Sequence, residues 1–170
     1  MESLQYVNSS TFHGDSDVTT GRLEAIWLKR AHRGKMDEVT QAMARVGSGL
    51  VGSVGRSSRR QVAIIERERW DEYRRALRLD IDPSGRRANL MVSGIPLART
   101  RGRILRVGAV RLAIGGETTP CERMDEVAAG LRDLMRPNWG GGVFAQVLGD
   151  GIVTVGDTVF LEDGQNSLDL

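Results

Sequence analysis

Residues 102–112 read Gly102-Arg-Ile-Leu-Arg-Val-Gly108-Ala-Val-Arg-Leu112, and residues 151–161 read Gly151-Ile-Val-Thr-Val-Gly156-Asp-Thr-Val-Phe-Leu161. Each stretch holds a short apolar run, a glycine turn and a second apolar run. Two such hairpin-like units at separated positions fit an antiparallel sheet that curls on itself, with glycines at its corners. Working outward, residues 143–148 (VFAQVL), 87–92 (RANLMV), 60–66 (RQVAIIE) and 22–29 (RLEAIWLK) add strands. The last two are almost continuously apolar, as expected of strands buried on both faces. Gly94-Ile-Pro96-Leu reads as a bend and Asp82-Pro83-Ser84-Gly85 as a turn.

Helices interrupt the strands. Residues 66–79 carry Trp70, Tyr73, Ala76 and Leu77 on one side. Residues 37–46 predict a short helix capped by Asp37, with Val39, Ala42, Met43 and Val46 on one face. Residues 121–135 predict a third, with Met124, Val127, Ala128, Leu131 and Met135 near 3.6 spacing. Many short strands and three helices give a mainly β, mixed α/β fold: a distorted β-barrel with a few inserted helices. The expected organisation is a flexible N-terminus over residues 1–20, one barrel domain over 21–163 and a tail over 164–170.

Composition narrows the function. The chain has 170 residues, 40% hydrophobic and 27% charged, and one cysteine, so no intrachain disulfide forms. There is no secretory signal at the N-terminus and no apolar run of membrane-spanning length, which predicts a cytoplasmic protein without membrane association. Net charge is only +2, but residues 56–111 carry fifteen arginines against six acids, a net of +9, and residues 112–170 a net of −7. Arginine grips phosphate and carboxylate bidentately, so the basic middle segment points to an anionic ligand, beside the alternative that many arginines are solvated helix faces. With 5% aromatics and no recognised motif, nucleic acid is not the expected partner.

Gly47-Ser-Gly49-Leu-Val-Gly52 satisfies the letter pattern of a dinucleotide fingerprint. Its context does not fit, since the fingerprint needs a strand before and a helix after. A mobile glycine-rich loop leading to Arg56, Arg59 and Arg60 is expected instead. Two histidines and one cysteine make no zinc-type cluster, and a Cys–His pair would have to use His32.

What remains is Thr118-Thr119-Pro120-Cys121-Glu122-Arg123-Met124. Pro120 fixes its own φ and biases Thr119 toward extended backbone, so Cys121 falls at a bend before a helix. Backbone N–H groups there favour a thiolate, the form that acts as nucleophile or metal ligand. Glu122, Asp125 and Glu126 oppose it. A buried, inert thiol is the other reading of a lone cysteine. Arginines and a side-chain amide such as Asn89 can hold a phosphate.

The ordered set Arg60-Gln61-Val62, Arg87-Ala-Asn89-Leu90, Gly94-Ile-Pro-Leu97, Ile104-Leu-Arg-Val-Gly108, Pro120-Cys121 and Gly149-Asp-Gly151 through Gly156-Asp157 resembles the MOSC domain. That family takes its name from the C-terminal part of molybdenum cofactor sulfurases, and the likeness is to its small standalone bacterial members. The resemblance implies a β-barrel that binds molybdenum cofactor (molybdopterin), with Cys121 as molybdenum ligand or persulfide-type sulfur carrier. It implies that Arg87 and Asn89, in the R-x-N element, meet the pterin phosphate or backbone, and that Arg60 lines the same pocket. It further implies a sulfur-donor or electron-donor protein as partner, and no need of pyridoxal phosphate. Alternative activities are a small molybdenum-dependent reductase of N-hydroxylated compounds and a non-catalytic anion- or partner-binding barrel. Two departures stand out. Gly52-Ser53-Val54-Gly55-Arg56 lacks the Asp of the G-D-R-like element many members carry. The additional N-terminal barrel of the larger amine-reducing relatives has no counterpart in these residues.

Overall fold

The structure, a computed structural model, describes residues 18–55 and 57–163. The flexible N-terminus expected over residues 1–20, up to residue 17, the C-terminal tail and Arg56 lie outside the described residues. In chain order the strands are β1 (Thr20–Lys29), β2 (Met36–Val39), β3 (Gln41–Arg45), β4 (Gly49–Leu50), β5 (Val62–Glu66), β6 (Leu90–Ser93), β7 (Ile104–Val107), β8 (Val110–Glu117), β9 (Val143–Val147), β10 (Gly151–Thr154) and β11 (Thr158–Leu161). The helices are α1 (Arg67–Leu77), α2 (Arg123–Val127) and α3 (Leu131–Met135).

Seven strands close into a barrel in the order β1-β11-β7-β8-β9-β5-β6 and back to β1. β2 pairs with the far end of β1, opposite Ile26–Lys29, and β10-β3-β4 form a second, smaller sheet. Closure leaves the barrel without a free edge. Every barrel pairing is antiparallel except β5–β6, whose parallel register follows from the crossover through α1. β1 shows how the sequence serves two cores at once. A register shift between Leu23 and Ala25 changes the parity of the strand. Leu23, Ile26 and Leu28 therefore fill the barrel, while Ala25 and Trp27 face outward onto Met36, Ile65 and Ala88. This is why the segment reads as unbroken apolar sequence. Beside the barrel, Trp70 and Tyr73 of α1 pack on Met124, Leu131 and Met135. The Trp70 indole donates to Ile81 O at 2.9 Å, and the Tyr73 hydroxyl donates to Gly140 O at 2.8 Å.

The two echoing segments behave differently. β7 and β8 are a two-residue hairpin, Val107 opposite Val110, with Gly108 at φ +57°. β10 and β11 do not pair with each other. The turn at Gly156 carries the chain from the small sheet into the barrel, where β11 lies between β7 and β1. A second glycine corner is obligatory: a Cβ on Gly142, at φ +91°, would stand 2.2 Å from Ile64 O.

Three expectations are corrected. Residues 37–46 form β2 and β3, not a helix. Ala42 and Ala44 alternate inward, Val46 is exposed, and Asp37 accepts the Arg30 guanidinium at 2.9 Å instead of capping. Pairing with β1 and β10 outweighs a helical face with little to bury. Residues 121–135 form two five-residue helices separated by extended Ala128 and left-handed Gly130. Met124, Ala128, Leu131 and Met135 are all buried, but Cys121 lies before the first helical residue. Finally, β6 begins at Leu90, because Arg87 sits at φ +63° and ends a short 3-10 turn over Pro83–Arg86.

Candidate functional site

Where β1 ends, β5 begins and the 118–120 segment passes, a hollow of about 120 Å³ opens, lined by Lys29, Ser53, Arg60, Arg87, Asn89, Thr118 and Phe144 among others. Three residues named from the sequence, Arg60, Arg87 and Asn89, meet here although up to 29 positions separate them. Their roles differ. Arg60 stacks its guanidinium 4.7 Å from the centre of the Phe144 ring. Asn89 is a brace. Its Oδ1 accepts from Ala63 N at 3.0 Å, and its Nδ2 donates to Trp27 O at 3.3 Å and Ser53 Oγ at 3.2 Å. Both amide hydrogens are thus engaged within the wall.

Ser53 explains the glycine-rich stretch. Its buried hydroxyl accepts from Lys29 N at 3.1 Å as well as from Asn89, and Val54 N donates to Lys29 O at 2.7 Å. The stretch is therefore stitched to the end of β1 and includes β4, where the sequence suggested a mobile loop.

Arg87 is the pivot. Its left-handed backbone turns the side chain back over the loop after β1, where it donates to Gly34 O at 2.5 Å, Ala31 O at 3.1 Å and His32 O at 3.3 Å. These bonds leave Nε–H and one hydrogen of Nη1. Among the described residues four buried side-chain polar atoms lack a partner, and two of them, Arg87 Nε and Thr118 Oγ1, belong to residues lining this hollow. Unpaired buried donors cost free energy until a ligand or water meets them. A second cleft of about 330 Å³ adjoins through Arg87 and is lined also by Arg33, Gly85, Arg123, Glu126 and Val127.

The cations here repel one another. Burial, then Arg87 and Arg123, lower the Lys29 pKa below its ordinary 10.5. Burial and then Arg123 lower that of Arg87. Among the described residues none of Lys29, Arg33, Arg87 and Arg123 takes part in an ion pair with a carboxylate.

Cys121 is exposed, which removes the buried-core reading of the lone thiol. It does not line the hollow itself. It lies three residues after Thr118, which lines the hollow, and two before Arg123, which lines the cleft. Beside it is a residue the sequence did not single out. Arg86 donates from Nε to Gly141 O and from Nη2 to Thr118 O, both at 3.1 Å. Burial lowers the Arg86 pKa, and negative charge on Cys121 acts against that fall. His32 is exposed and contributes its backbone carbonyl to Arg87. Among the described residues no group of three or more His, Cys, Asp or Glu side chains is arranged to hold a metal ion, and no helix is long and apolar enough to cross a membrane.

The sequence matches the model of the MOSC domain over residues 27–160. The chain belongs to the MOSC domain family. That family is associated with molybdenum cofactor binding. Solved structures share the barrel. YuaD from Bacillus subtilis superposes with a TM-score of 0.69 at 20% identity, covering 86% of this chain and 97% of that one. YiiM from Escherichia coli gives 0.65 at 18% identity, covering 85% and 71%. YiiM from Geobacillus stearothermophilus gives 0.68 at 10%, covering 86% and 77%. At these identities the likeness is one of fold. No curated protein matches the sequence.

The donor set fits one part of molybdenum cofactor well. A hollow of about 120 Å³ with Lys29, Arg60, Arg87 and an unpaired Thr118 hydroxyl suits a phosphate group. It is smaller than the roughly 300–1,000 Å³ that whole organic ligands occupy, so the pterin would extend outward over the rim.

Proposed function

We propose that this MOSC protein binds molybdenum cofactor by its phosphate, with Cys121 at the exposed rim as the metal ligand. The observation that carries the reading is the pair of unpartnered buried groups, Arg87 Nε and Thr118 Oγ1, on residues lining a hollow with two further cations. Arg87 and Arg60 supply charge, Lys29 adds a point charge, and Thr118 supplies a hydroxyl. Asn89 holds the wall in place and frames the same site. The cofactor, when bound, would supply a redox-active molybdenum for oxygen-atom or electron transfer. The chain's own contribution is to bind, orient and present one thiolate, with Arg86 as the cation beside it.

The exposure of Cys121 supports a second reading, sulfur carriage. Its thiolate would attack the outer sulfur of a donor persulfide, forming a Cys121 persulfide and releasing the donor's thiolate, with no net oxidant required. An exposed sulfur is open to a protein donor in a way a buried one is not. A small reductase of N-hydroxylated compounds would need an electron-donor protein in addition.

The test is molybdenum content and oxidised-pterin fluorescence of protein purified from a host that makes the cofactor. Stoichiometric metal and pterin, both reduced in Arg87→Ala, are expected. A metal-free parent carrying a 32-Da sulfur adduct on Cys121, about the mass of one sulfur atom, would replace the first reading with the second.

A further inference from the structure

We propose that the far end of the barrel holds a second ligand site, for a small organic monocarboxylate with an apolar body. The cleft there has a volume of about 490 Å³, against about 120 Å³ for the hollow. That lies within the roughly 300–1,000 Å³ of sites that enclose whole organic ligands. Its lining comes from Thr19 before β1, Ile95 and Pro96 after β6, Arg99 and Arg103 before β7, and Leu161 at the end of β11. Thr19 precedes β1 and Lys29, which lines the hollow, ends it. Nearly the whole strand, about 30 Å when extended, therefore separates the two sites. The proposal stands independently of the phosphate reading.

Residues 99–103 read Arg-Thr-Arg-Gly-Arg. Thr100 is buried, its hydroxyl donates to Leu97 O at 2.6 Å, and Arg103 N donates to Thr100 O at 2.9 Å. The turn is thus preformed, and its arginines diverge. Arg101 lies against Gly116, where a Cβ would stand 3.1 Å from its Nη2, whereas Arg99 and Arg103 line the cleft. Arg99 holds a left-handed backbone at φ +61°, which is costly for a residue with a Cβ and recurs at ligand clamps. Among the described residues the Arg99 side chain has no hydrogen-bond or ion-pair partner, and Arg103 spends one donor, on Glu162 O at 3.1 Å. Asp163 also lines the cleft and is paired with neither arginine. Two positive charges against one negative leave the lining at +1, which suits a monoanion; a dianion would add repulsion from Asp163. The guanidinium fork matches a carboxylate. Ile95, only 3% exposed, lies beside Pro96 and Leu161 as an apolar floor, where covering a hydrocarbon body is favourable. An inorganic anion would leave that floor wet.

The experiment is titration calorimetry of octanoate, acetate and 1-octanol on the full chain, with saturating inorganic phosphate present to occupy the hollow. One octanoate per chain is expected. It should bind roughly a hundredfold more tightly than acetate, since each buried methylene is worth about fourfold. 1-Octanol keeps the chain and lacks the charge, and should bind about tenfold more weakly than octanoate. Arg99→Gln is expected to weaken octanoate about tenfold and to leave 1-octanol unchanged. Its side chain has no partner among the described residues, so this variant should melt as the parent does. Arg103→Gln should act in the same direction, and Asp163→Asn should tighten octanoate. Arg101→Gln makes the same charge change on the same turn, away from the cleft, and should leave octanoate affinity unaltered. A loss in Arg101→Gln equal to that in Arg99→Gln would overturn the site, because the ligand would then be sensing net charge. So would octanoate that binds no tighter than acetate or 1-octanol, or octanoate binding that saturating phosphate abolishes.

Discussion

Near the β7–β8 hairpin, Arg111 closes on Glu162 with a two-pronged contact at 2.7 and 2.8 Å, and Arg106 reaches the same carboxylate at 3.5 Å. On α1, Arg67 meets Glu24 and Asp71, and Arg74 meets Asp71 and Asp80. These arginines have carboxylate partners, and Arg67, Arg74 and Arg111 are solvated. Between the hollow and the adjoining cleft, by contrast, Lys29, Arg87 and Arg123 repel one another, and Arg87 spends its hydrogen bonds on backbone carbonyls. Both groups contribute to one basic composition, yet only the second stores repulsion that an anion can release. A functional arginine is thus distinguished by what it lacks, and substitutions on either side should have opposite signatures.

The largest effect is expected at the thiol. Cys121→Ser should remove molybdenum from the purified protein almost completely, measured by elemental mass spectrometry. An exposed, nearly isosteric change should leave the melting temperature within about 2 °C. Metal retained in the variant would take Cys121 out of the coordination sphere.

Next is Asn89→Ala, which separates the brace from the binders. Removing the amide leaves Ala63 N–H, Trp27 O and Ser53 Oγ short of a partner, at a cost of about 2–3 kcal/mol in denaturant unfolding. Arg60→Ala, by contrast, should weaken phosphate binding with little change in stability. If Asn89→Ala left stability untouched, its role would shift from the wall to the ligand.

These contrasts also show what the sequence could say. The barrel was legible because strands buried on both faces, such as β1 and β5, leave runs of apolar residues, and because corners require glycine at Gly108 and Gly142. The site was legible in part because Arg87, Asn89 and Cys121 sit in an ordered pattern that resembles a family. The helix expected at 37–46 failed because Ala42 and Met43 suit either period, and only the partner strands β1 and β10 decide between them. The difference between Asn89 as brace and Arg87 as donor was hidden, since it depends on Ser53 and Trp27 arriving at the same place. Lys29, Arg33 and Arg123 were likewise unmarked among 24 basic residues, because an absent carboxylate partner is a property of three-dimensional neighbours.

Lys29 gives a subtler test, in pH. Its folded pKa lies below its ordinary 10.5, so the native protein releases that proton before the unfolded chain does. Between the lowered value and about 10.5 the unfolded state holds more protons, and stability rises with pH across that window. Below it the cost of burying the charge, and with it the repulsion from Arg87 and Arg123, is fully present. The ligand-free wild type should therefore gain stability relative to Lys29→Gln as pH climbs toward 10.5, and saturating phosphate should flatten the difference by lending Lys29 a counter-charge. A wild type and variant whose melting curves stay parallel in pH would show that neither burial nor the neighbouring arginines lower the Lys29 pKa.

The smallest effect belongs to the paired set. Arg111→Ala removes a good two-pronged contact to Glu162, but the pair lies in solvent, where screening and side-chain entropy consume most of the attraction. Arg106 remains within 3.5 Å to take up part of the carboxylate's charge. The expected result is no resolvable change in melting temperature and unaltered phosphate affinity. The value of so quiet a variant lies in its charge: it lowers the net charge of the chain by one unit, as Arg60→Ala does. If Arg111→Ala weakened phosphate binding as much as Arg60→Ala does, the anion would be sensing the basic surface as a whole. If only Arg60→Ala registers, the effect is local, and the arginines of the hollow act by position and not by number.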